Sequence, residues 1–61
     1  MKYFLFSNDD FEPDDQYRFF IVEASSKKAA SWIGPEAFEF SEFVKEIDET
    51  TARASKWPWI T

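Results

Sequence analysis

Gln16-Tyr17-Arg18-Phe19-Phe20-Ile21-Val22-Glu23-Ala24 is the stretch on which the fold turns. Aromatic and β-branched residues dominate it, which is the composition of a strand. Alternate side chains of a strand point to opposite faces. Tyr17, Phe19 and Ile21 therefore share one face, and Phe20, Val22 and Ala24 share the other. Both faces are apolar, so this strand needs cover on both sides. A chain of 61 residues has little left to supply it.

Upstream, Lys2 to Ser7 repeats the pattern, with Phe4 and Phe6 on one face and Tyr3 and Leu5 on the other. Between the two runs, residues 8–15 are turn formers, and Pro13 is unsuited to a central ladder. An antiparallel hairpin is the simplest connection. Downstream, Ser25 and Ser26 are N-cap residues for a short helix through Ile33. Gly34 and Pro35 stand where a helix stops. Within this helix, the spacing predicts Ala29, Trp32 and Ile33 toward the sheet and Lys27, Lys28 and Ser31 toward water.

Residues 40–53 read two ways. Phe40, Phe43, Val44 and Ile47 make a helical stripe. A hairpin alone is marginal, however, and a strand over Glu42–Ile47 would give the sheet its third member. Asp48 would then cap a last helical turn through Thr50-Thr51-Ala52-Arg53. In the tail, Pro58 disfavours helix, and Trp57, Trp59 and Ile60 are too apolar to leave in water. The expectation is one α+β domain over residues 1–61. It has a small antiparallel sheet, β-β-α-β with a short C-terminal helical turn and an extended tail, and one helix packed on one face. The alternative is β-β-α-α.

The chain has no cysteine and no histidine, which removes disulfides, the Ser-His and Cys-His nucleophile pairs and the usual zinc ligands. The lone glycine excludes a phosphate-cradling loop. No catalytic residue, cofactor or metal is expected, and a binding role is. A domain this small usually needs a staple, which points to oligomerisation or docking on a partner. The apolar run at Tyr3–Phe6 is too short for a secretory leader, and no stretch approaches a membrane span, so a cytoplasmic protein is expected.

The net charge of -5 disfavours direct contact with nucleic acid and favours a basic protein partner, one that itself binds nucleic acid being the natural case. Asp9, Asp10, Glu12, Asp14 and Asp15 crowd into one connection and are the candidate partner-binding residues. The spacing lacks the glycine turn and terminal Glu of a calcium loop. A purely solubilising loop is the plainer reading. Glu36, Glu39, Glu42, Glu46 and Glu49 would form a second acidic stripe if residues 35–50 were helical. Phe20, Val22, Trp57, Trp59 and Ile60 are the candidate homodimer interface, although a tail that seals the core is the plainer reading of Trp57 and Trp59.

In size, charge and aromatic content the chain resembles the small acidic proteins of bacteriophages and other mobile elements. That resemblance implies an inhibitor or regulator, anti-defence or nucleic-acid-mimicking, which blocks a basic surface of a host protein. The competing expectation is an assembly module whose aromatic sheet face and Trp tail build a homo-oligomer.

Overall fold

The computed structural model describes residues 1–60. Its elements are β1 (Lys2–Asn8), β2 (Phe19–Ala24), α1 (Lys27–Ala37), β3 (Ser41–Ile47), α2 (Glu49–Ala54) and β4 (Trp59–Ile60). They form an α+β fold with one four-stranded sheet in the order β3-β1-β2-β4. The β-β-α-β reading holds, and the extended tail becomes a fourth strand. It pairs parallel to β2, with Ile21 opposite Trp59 and Val22 opposite Ile60, so the sheet is mixed and not wholly antiparallel.

β1 and β2 form the hairpin, with Phe4 opposite Val22, Leu5 opposite Ile21 and Phe6 opposite Phe20. β2 starts at Phe19, later than Gln16, because Asp15 diverts the chain. Its Oδ1 accepts the Tyr17 N–H at 2.8 Å and its carbonyl accepts the Arg18 N–H at 3.1 Å, an Asx turn that ends only where the ladder begins.

The sheet separates two apolar layers. Phe4, Phe6, Phe20, Val22 and Ala24 face α1, where Ala30 is buried and Ala29, Ile33, Phe38, Phe43 and Ile60 pack around them. On the other side, Tyr3, Leu5, Ile21 and Ile47 bury Ala52 of α2, with Phe19, Trp57 and Trp59 at the margin. The two apolar faces of β1 and β2 are thus covered by the same chain.

Ser26 caps α1, its Oγ accepting the Ala29 N–H at 3.2 Å. The helix does not stop at Gly34 but continues through Pro35 to Ala37, where the Phe38 N–H bonds the Gly34 carbonyl. Gly34 has no left-handed φ, so it is not a terminator. It lies against Phe6, whose ring would sit 2.7 Å from any Cβ placed there. Proline removes one helical donor, and the Ser31 carbonyl it deprives lies on an exposed part of the helix.

Trp32 is 67% exposed, not turned to the sheet. The close approach is made by Ala30 and Gly34, one turn apart, and Trp32 lies two residues from each, about 200° around the helix.

Residues 41–47 are strand, so the helical stripe of five glutamates does not form. Glu36 is on α1, Glu42 and Glu46 on β3, and Glu49 on α2. β3 pairs with β1 antiparallel and contains a bulge, because Leu5 faces Lys45 while the next residue, Phe6, faces Phe43. Val44 is the extra residue. It reverses the alternation, so Phe43 joins the α1 layer and Ile47 the α2 layer. Asp48 then caps α2, accepting the Thr51 N–H at 2.7 Å.

Candidate functional site

The C-terminal end of β1, the start of β2 and the start of β3 meet at one end of the sheet. The β1–β2 connection lies there, and the Asp9 N–H donates to the Phe40 carbonyl at 3.3 Å, joining it to the α1–β3 connection. This juxtaposition gathers Asp9, Asp10, Glu12, Asp14 and Asp15 with Glu39 and Glu42. Seven of the chain's twelve carboxylates lie on these two connections and the start of β3, with Arg18 as their single cation. The remainder carries six cations and five carboxylates.

The loop is fastened from below. Asn8, fully buried at the end of β1, donates its N–H to the Arg18 carbonyl at 2.6 Å and accepts the Phe11 N–H at 3.1 Å. Its Oδ1 accepts the Asp10 N–H at 3.4 Å. Arg18 adds a clamp, with Nη1 donating to the Phe11 carbonyl at 2.9 Å and Nη2 3.5 Å from Asp9 Oδ1. Phe11 turns inward, edge-on to both Tyr17 and Phe38. Its capture against Phe38 ties the acidic loop to the end of α1.

Of the candidate partner-binding residues, Asp9 is spent on Arg18 and Asp15 on the Tyr17 N–H. Asp10, Glu12 and Asp14 are exposed and have no ionic partner among the described residues. Phe40, 57% exposed, and the partly exposed Tyr17 flank them. Acids around exposed aromatics suit a basic surface that offers apolar side chains between its lysines and arginines. No group of three or more metal-ligating side chains converges among the described residues. None of their helices is long and apolar enough to cross a membrane.

The candidate interface residues take different places. Phe20 and Val22 are completely buried beneath α1, so in the folded chain they offer nothing to a second copy. The expectation failed because it left one face of β2 uncovered. Trp57 packs on Phe19 at 5.9 Å, Trp59 is edge-on to Tyr3 at 5.4 Å, and Ile60 joins the α1 layer. All three are half-buried against their own sheet, the core-sealing arrangement.

Around Trp59 lies a second group of charged side chains. Arg53 reaches over its ring and donates to Glu49 Oε2 at 2.8 Å, and the Tyr3 hydroxyl donates to Glu49 Oε1 at 3.3 Å. The Arg53 hydrogen bond holds the Glu49 carboxyl below its ordinary range. Burial, aided by the Glu49 and Glu23 carboxylates, pushes the Tyr3 phenol up. The arrangement braces α2 against the sheet and presents no open site.

Sequence reasoning found the acids of the loop but missed Asn8, Arg18 and Phe40. Asn8 looked like a turn residue and Arg18 like a strand residue. Phe40 falls in a helical stripe of the sequence that the strand at 41–47 abolishes. Their roles arise from contacts between segments distant in the chain. Set beside known protein families, curated proteins and solved structures, the chain matches none.

Proposed function

We propose that this chain is a protein-binding inhibitor or regulator that seats a basic surface of another protein on its acidic end and blocks that surface sterically. The observation that carries the reading is the Asp9–Phe40 junction, which adds Glu39 and Glu42 to the loop acids and sets an exposed aromatic among them. The acids steer encounter and fix register, while Phe40 and Tyr17 supply apolar contact. Such an end imitates the charge of a nucleic-acid backbone, so a nucleic-acid-binding protein in the cytoplasm is the partner it best suits. The protein acts by occupancy and not by chemistry.

Affinity capture with the wild-type protein, followed by kinetics on the purified partner, tests this. In the triple variant Asp10→Asn, Glu12→Gln, Asp14→Asn, the association rate falls by about tenfold or more and its salt dependence flattens. Unchanged association would overturn the assignment. Arg18→Ala makes the end more acidic but unclamps the loop. Weaker binding in that variant identifies a preorganised surface, and tighter binding identifies charge alone.

A further inference from the structure

The outward face of α1 carries a pattern that nothing else in the chain answers. Trp32 is the most exposed aromatic side chain described. Together with Lys27, Lys28, Ser31, Pro35 and Glu36 it lines an open trough of about 680 Å³. Lys28 precedes Trp32 by four residues and Glu36 follows by four, so the three stand on one ridge of the helix. Eight residues separate Lys28 from Glu36 by about 12 Å along the axis, too far for them to pair with each other. Neither has another ionic partner among the described residues. Lys27, by contrast, is engaged over the Phe43 ring at 4.5 Å.

A ridge reading cation, tryptophan, anion at equal spacing is complementary to itself under a two-fold axis. When two copies of α1 lie antiparallel with the axis at Trp32, Trp32 meets the partner's Trp32. Lys28 then meets the partner's Glu36, and Glu36 meets the partner's Lys28. Ser31 is small enough to let the helices approach to the usual packing distance, and paired indoles at the centre give the contact an apolar anchor. A basic protein docked here would be repelled by Lys28 and an acidic one by Glu36, whereas a second copy satisfies both.

We propose that the outer face of α1 is a homodimer interface, with Trp32 at the two-fold axis and reciprocal Lys28–Glu36 ion pairs on either side of it. This surface shares no residue with the buried ones that β2 and the tail contribute to the core. It is also independent of the acidic end, so either assignment can fail while the other stands.

Sedimentation equilibrium of the full chain from about 10 µM to 1 mM, in low and high salt, reads the dimer directly. The wild type shows a reversible monomer–dimer equilibrium that weakens with salt. Trp32→Ala raises the dissociation constant by about tenfold or more. Lys28→Glu and Glu36→Lys each raise it by a similar factor, and the double variant recovers to within about threefold of the wild type. Both single swaps move charge in the direction the helix dipole favours, acid to the first turn and base to the last, so a fraying helix does not explain their effect. A monomer throughout the range overturns the proposal. So does a dimer indifferent to Trp32→Ala, or a double variant no tighter than the singles.

Discussion

A Cβ on Gly34 would stand 2.7 Å from the Phe6 ring, which is stacked on Phe20 at 5.5 Å and edge-on to Phe43 at 5.9 Å. Gly34→Ala improves helix propensity by about 1 kcal/mol, but forcing a methyl into a packed layer costs about 1–3 kcal/mol. Phe6 is buried and held on two sides, so the packing cost wins. The urea midpoint of Gly34→Ala falls below that of the wild type; a raised midpoint would show that the ring yields. A Gly-Pro pair after a short amphipathic run has the local appearance of a helix stop. What makes it otherwise is contact with a strand near the other end of the chain, and no local pattern encodes that. Trp32 faces water for the same reason, since the phase of α1 follows from where its smallest residues must touch the sheet.

At the scale of elements, the bulge decides how β3 is used. With a strict period of two, Phe43 and Ile47 would share a face, yet the two layers need one each. Deleting Val44 removes the bulge and leaves an unbroken ladder, with Phe43 still opposite Phe6 and Ile47 still opposite Tyr3, each in its own layer. That variant keeps its cooperative thermal transition by circular dichroism. Val44→Ala keeps the residue count and removes only part of a half-exposed side chain, so its stability stays within about 0.5 kcal/mol of the wild type. Loss of the transition in the deletion variant would show that Val44 does more than shift the phase. β1, β2 and both helix caps were legible because each is written in a few adjacent residues. The strand at 41–47 was legible only through the sheet's need for a third member. The parallel seat of β4 was not legible at all, because Trp59 and Ile60 would fit any apolar edge.

For the whole molecule, acid withdraws the stability that two carboxyls contribute. The Asp48 carboxyl is held below its ordinary range by the Thr51 backbone N–H, and Glu49 by Arg53. A carboxyl lowered in the folded state contributes stability above the unfolded pKa of about 4, and loses it as the pH falls through the folded value. Urea midpoints measured between pH 7 and about pH 2.5 isolate the share of Asp48, because Asp48→Asn keeps an N-cap that does not titrate. The acid-side decline is shallower in that variant than in the wild type. Superimposable profiles would remove Asp48 from the balance.

β1 is paired along its length with a long strand on each side, with α1 on one face and α2 on the other. In the language of isotope exchange, its middle amides are a clock for the entire protein. No partial opening frees the N–H groups of Phe4 to Phe6 without parting both layers, so they exchange only at the rate set by global unfolding. Asn8, from which the acidic loop hangs, is the last residue of that strand. The base of the loop therefore exchanges nearly as slowly as the core, while its tip, around Glu12 and Asp14, exchanges in the time it takes to add the heavy water.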